Sequence, residues 1–126
     1  MEMGWNVIDP FIATETPYTF QEYIASSKGE WTVAKHGYAV SNSGWFSERT
    51  LSYMASGKPV IVQDTGFREF LPTGNGLFAF STLEEAIEQV IKVNADYAFH
   101  CKQARIVVDD YFDSLKVLTS LLDRID

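Results

Sequence analysis

Two short stretches hold most of the residues in this chain that could do chemistry. The first, "KHGYAVSNSGWFSER" (35–49), carries Lys35, Ser41, Ser43, Gly44, Ser47 and Arg49. The second, "QDTGFRE" (63–69), carries Thr65, Gly66 and Arg68. Hydroxyls, glycines and cations at the start of a helix are the groups that hold an anion: a helix N-terminus offers free N–H groups and about half a positive charge. Glycine lets the backbone come close, and Lys35 and Arg49 could supply charge. Together the two stretches could hold the diphosphate between a nucleoside and a sugar. A plainer reading stands beside this one: serine before a helix is a cap, and Gly66 is a turn residue. Trp45, Phe46 and Phe67 either stack on a ring of the ligand or fill the core.

Other chemistries find less support. His36 and His100 are too few and too far apart in sequence for a metal site, so no metal is expected. "SGWFS" (43–47) lacks the G-x-S-x-G pattern of a serine nucleophile. "GNG" (74–76) precedes a strand rather than a helix, so it is a turn and not a dinucleotide fingerprint. Glu84 and Glu85 read as a solvated helix start. Glu30 and Lys35 flank a strand end, where an ion pair and a ligand contact are both open.

The elements that must position these residues follow from periodicity. Residues 1–16 read as irregular. A helix is predicted over 19–28, with "TFQE" as a capping box of Thr19 and Glu22. Strands are predicted at 30–34, 59–63 and 76–80, the last two as continuous apolar runs suited to a buried parallel sheet. Residues 35–44 read as a polar connection and 45–56 as a helix. Residues 64–75 read as a turn region with one helical turn at "FREF". Helices follow at "STLEEAIEQVIKV" with a Thr82/Glu85 capping box, at 95–109 with Asn94 as a cap, and at 113–124. Strands separated by helices imply a Rossmann-like α/β fold, a parallel sheet with helices on both faces. Ligands in such sheets sit beyond the carboxyl ends of the strands. Residues 41–49 and 64–68 are therefore expected to face one cleft.

Bulk properties set limits. The chain of 126 residues suits a single domain. A net charge of −7 argues against a general nucleic-acid binder, which needs clustered cations. One cysteine, Cys101, allows no internal disulfide, and no apolar run approaches the ~18–20 residues that span a bilayer. A cytoplasmic location without a signal peptide is the expectation.

"MASGKPVIVQDTGFREFLPTGNGLFAFSTLEEAIEQV" (54–90) resembles the C-terminal half of glycosyltransferases with the two-domain GT-B fold. Met54-Ala55, Gly57, Pro59-Val60, Gly66, Glu69, Gly76-Leu77 and Glu85-Ala86 match that family's order. "GEWTVAKHGY", "SGWFSER" and "QDTGF" are similar to a bacterial group 1-like subgroup. The resemblance covers about residues 18–125. It implies a donor-binding domain that takes a nucleotide sugar without a metal, with Glu69 joining the candidate site residues. Many retaining members carry two glutamates separated by seven residues; Gly44 and Ser52 stand at those positions here.

The resemblance also implies a separate N-terminal acceptor domain, which 126 residues cannot include. The chain is therefore expected to be a C-terminal fragment or a truncated product, with part of Leu115, Leu118, Leu121 and Leu122 of the last helix facing solvent or a second copy of the chain. Two other functions remain open on the sequence: a non-catalytic nucleotide-binding or interaction module, and a nucleotide-sugar epimerase of the same fold. The isolated chain is expected to transfer no sugar, because closure against the acceptor domain excludes water from the reaction. Transfer from a nucleotide sugar by the purified 126-residue chain, followed by product release, would overturn this.

Overall fold

The computed structural model describes residues 3–125. Three strands, β1 (Glu30–Thr32), β2 (Val60–Gln63) and β3 (Leu77–Phe80), form one sheet in the order β1-β2-β3. Both pairs are parallel, with Trp31 opposite Ile61 and Ile61 opposite Phe78. The helices are α1 (Pro10–Ala13), α2 (Pro17–Ser26), α3 (His36–Val40), α4 (Glu48–Ala55), α5 (Leu83–Ala95), α6 (Tyr97–Tyr111) and α7 (Ser114–Ile125). A 3₁₀ turn, Phe67–Glu69, lies where one helical turn is predicted.

The fold is α/β and Rossmann-like, and each sheet face has its own core. Val60, Val62, Leu77 and Ala79 pack with Ile24 of α2, Tyr53 and Met54 of α4, and Ala104 and Val107 of α6. The alternate residues Ile61, Phe78 and Phe80 pack with Ala86 and Val93 of α5. The period-2 alternation of side chains sends adjacent strand residues to opposite faces. That is why β2 and β3 are apolar without interruption.

Several boundaries move for local reasons. Residues 1–16 are not wholly irregular: Asp9 caps α1, accepting the Phe11 N–H at 2.9 Å. α2 begins at Pro17 rather than Thr19, because proline's fixed φ suits the first helical position. Its capping box joins Thr16 and Thr19, not Thr19 and Glu22. Residues 35–44 contain α3, and α4 starts only after Ser47. Thr82 caps α5, but Glu85 reaches back to the Ser81 N–H instead of that of Thr82. Asp96, not Asn94, caps α6.

The helical stripe of α5 is only partly used. Ala86 is buried while Leu83, Ile87, Val90 and Ile91 are exposed. All four α7 leucines, Leu115, Leu118, Leu121 and Leu122, are more than half exposed.

α6 is tied to β3 by a buried histidine. His100 is 3% exposed, lies edge-on to Phe78 and Phe99, and accepts the Gly76 N–H at Nδ1, 3.2 Å away. Gly76 has φ +74°, and a Cβ there would collide with the backbone of Gln103 and Ala104. Burial, aided by Lys92, lowers the His100 pKa from its ordinary 6.5. A depressed folded pKa means that the contribution is complete above 6.5 and is lost as pH falls toward the folded value. Urea unfolding from about pH 7 to pH 5 should therefore show wild type losing stability relative to His100→Gln, which keeps an acceptor but does not titrate. A difference that stays flat with pH would reject this role.

Candidate functional site

The carboxyl ends of β1 and β2 open into a cavity of about 270 Å³. Thr32 and Gln63, the last residues of the two strands, form part of its wall. Lys35, Tyr38, Trp45, Ser47, Arg49, Thr50 and Thr65 complete the polar and aromatic lining. The chain reaches this place twice, at the turns after β1 and after β2, as the topology of a parallel sheet requires.

A short set of bonds holds the two turns together. Thr65 is 1% exposed; its carbonyl accepts the Gly44 N–H at 2.7 Å and its hydroxyl donates to the Trp45 carbonyl at 2.6 Å. Gly44 sits at φ +76°, and a Cβ there would press on the Phe70 ring at 3.2 Å. Its glycine thus serves loop packing. Ser47 then caps α4, its Oγ accepting the Arg49 N–H at 3.2 Å.

Four of the eight candidate residues line the cavity: Lys35, Ser47, Arg49 and Thr65. The other four do not. Ser43 is spent on its own turn, donating to the Tyr38 carbonyl and accepting the Trp45 N–H. Gly44 lies in the clamp just described. Gly66 is buried under the Asn42 side chain and donates its N–H to Asp64 Oδ1 at 2.9 Å. Glu69 is exposed on the 3₁₀ turn. Of the aromatics, Phe67 is core and Phe46 packs edge-on against it at 5.2 Å. Trp45 alone faces the cavity, half exposed and stacked on Tyr38 with ring centroids 5.0 Å apart.

The cations differ more than their sequence positions suggest. Arg49 donates through Nε to Glu30 Oε1 at 2.7 Å and through Nη2 to Thr32 Oγ1 at 2.9 Å. Glu30 therefore pairs with Arg49 and not with Lys35. Arg68 pairs with Asp64 at 2.6 Å. Lys35 is exposed and has no ion-pair partner among the described residues, so it is the free positive charge at the cavity. Thr50, fully buried, also lines the cavity and leaves its Oγ1 without a hydrogen-bond partner.

Thr32, Tyr38, Thr50 and Gln63 were not singled out by the sequence. The strand-end rule points to Thr32 and Gln63; Tyr38 was hidden in a stretch read as a connection, and nothing local marks Thr50. Among the described residues, no group of three His, Cys, Asp or Glu side chains is placed to hold a metal. In comparisons with known proteins, the chain matches no protein-family model, no curated protein and no solved structure.

The Glu30 pairing changes what an arginine deletion should do. On sequence alone, neither Lys35→Ala nor Arg49→Ala should disturb folding. With the Glu30 side chain only 6% exposed, Arg49→Ala leaves a buried carboxylate unpaired. Arg49 itself is half exposed, which reduces the loss to about 1–2 kcal/mol. Lys35→Ala should stay within about 0.5 kcal/mol of wild type. Denaturant midpoints of both variants check this; equal stability of the two would show that the Glu30–Arg49 pair contributes nothing.

Proposed function

We propose that this chain is the donor-binding domain of a GT-B-type glycosyltransferase and holds a nucleotide sugar beyond the ends of β1 and β2. The observation that supports this most is convergence. Lys35 and Ser47 from the β1–α4 connection and Arg49 from the first turn of α4 line one cavity with Thr65 from the turn after β2. The Lys35 ammonium suits a phosphate oxygen, and the Ser47 hydroxyl has a proton to donate. Trp45, stacked on Tyr38, offers a flat apolar face to a base or a sugar ring.

At about 270 Å³ the cavity is below the roughly 300–1,000 Å³ that encloses a drug-sized ligand. It therefore suits the diphosphate and one flanking ring, with the remainder of the donor across the cleft mouth. Transfer would proceed by electrostatic stabilisation of the leaving diphosphate, with Lys35 carrying the main charge and the start of α4 adding its dipole. The acceptor would be presented by another domain. No helix of the described residues is long and apolar enough to cross a membrane, and a cytoplasmic place suits a nucleotide-sugar donor.

One observation favours a second reading, a non-catalytic nucleotide-binding or interaction module. Gly44 and Ser52 stand where many retaining members of the family carry glutamates, and the Arg49 charge is already committed to Glu30. The donor-binding reading and a nucleotide-binding module both predict nucleotide binding, an interaction module does not, and only the first predicts transfer once an acceptor domain is supplied.

Calorimetric titration with UDP, GDP and ADP tests the shared part. At least one should bind, and Lys35→Ala should weaken that binding by roughly 1–3 kcal/mol, the range for a charge-assisted hydrogen bond. Its melting temperature should not move. Unchanged affinity in Lys35→Ala would remove Lys35 from the site, and the absence of binding by all three nucleotides would sink the donor-binding reading and the nucleotide-binding module, leaving the interaction module.

A further inference from the structure

A second cavity lies beside the first and has a different chemistry. It measures about 460 Å³ and sits between β1 and the segment carrying α1 and α2. Arg49 and Thr32 border both cavities. Glu30 and Arg49 are the charged residues of its lining, so their charges cancel. The first cavity adds Lys35, whose charge has no ion-pair partner among the described residues, and is positive.

Glu30 is the unusual member. Its side chain is 94% buried by the 6% exposure that remains, and only one of its oxygens is used: Oε1 takes the Arg49 Nε–H. Oε2 is buried and has no hydrogen-bond partner among the described residues. A carboxylate oxygen left without a donor carries a desolvation cost that a native structure normally offsets with a partner. The partner must be a donor, because an ionised carboxylate can only accept. Since Arg49 already balances the charge, that donor need not be a cation. A neutral O–H suffices.

The rest of the wall fits a ligand with several hydroxyls. Tyr23, Tyr53, Thr14 and Thr32 add hydroxyl groups, and Trp31 and Phe20 add aromatic surface. Burial raises the Tyr53 phenol above its ordinary value of 10.0, so at neutral pH it keeps its proton and can donate. Polar groups that bind through O–H, beside aromatic rings that cover C–H faces, are the two requirements of a sugar ring.

We propose that this second cavity binds a neutral, polyhydroxylated ring, a saccharide, with the Glu30 carboxylate, whose Oε2 is covered in this structure, turning to accept one of its hydroxyls. The site is separate from the nucleotide site: it lies on the other side of Arg49 and does not include Lys35. Its occupation does not depend on the nucleotide reading being correct.

The test is a series of ¹H–¹⁵N NMR titrations of the 126-residue chain with methyl α-D-glucopyranoside, glucosamine and glucose 1-phosphate. The neutral glycoside should shift the Gly29 and Glu30 amides and the Trp31 indole N–H at millimolar concentration. It should leave the Trp45 indole unmoved. Tyr23→Phe, at a partly exposed position where folding is safe, should weaken it about threefold to fivefold, the usual effect of one hydroxyl bond. Glu30→Gln should weaken it more, with melting followed in parallel, whereas Lys35→Ala should weaken nucleotide binding but not glycoside binding.

Absence of shifts up to about 50 mM glycoside would overturn the proposal. So would shifts confined to Trp45 and Lys35, tighter binding of glucosamine, which would assign the site to a cation, or a Tyr23→Phe variant with unchanged affinity. None of these results would touch the nucleotide titrations, so the two readings fail separately.

Discussion

Thr65 is the point through which the turns after β1 and β2 are joined. Its carbonyl holds the Gly44 N–H and its hydroxyl holds the Trp45 carbonyl, both under 2.8 Å, in a partly buried place. Buried hydrogen bonds of this kind are costly to break, since each leaves a polar group unsatisfied. They pin residues 44 and 45 to the end of β2, two residues before the Ser47 cap. The position of α4 and the direction of Arg49 follow from that anchoring. A residue whose hydroxyl looks, in sequence, like a ligand donor is instead the reason that other donors have a fixed place.

The same anchoring distributes charge in a way that suits an acidic protein. With a net charge of −7, a loose cation would be drawn to one of many carboxylates. Arg49 and Arg68 are so engaged, at Glu30 and Asp64. Lys35 escapes because α3 begins immediately after it and carries it to the cavity rim, away from an acidic neighbour within ion-pair distance. A single free ammonium beside a low-dielectric wall focuses positive potential locally even when the whole molecule is negative. Arg49, placed between a positive cavity and an electroneutral one, separates two environments less than one side chain apart.

The hydrophobic economy of the fold is uneven. One sheet face is closed by α2, α4 and α6, and contains the fully buried Met54, Leu77 and Phe67. The other is covered by α5 with Tyr97 and His100 from the start of α6, and Leu83, Ile87 and Ile91 remain in water.

The sequence by itself determined the order of elements and the class of fold. Continuous apolar runs at β2 and β3, separated from β1 and from one another by helical and turn signals, required a parallel sheet covered on both faces. That topology in turn placed residues 35–49 and 63–69 at one end of the sheet. Short-range chemistry was legible where it obeyed a fixed spacing, as at the Thr82 cap, and misread where two spacings competed, as at Thr16 and Thr19, where Pro17 decided the register. What only the tertiary structure decided was which groups are free. Glu30 and Arg49 are 19 residues apart, and Thr65 and Trp45 are 20 apart. No local periodicity encodes such pairs, because they are set by how β1, β2 and α4 pack. Packing therefore made Lys35 the free charge, turned Thr65 and Gly44 into scaffolding, and left one oxygen of Glu30 buried without a donor.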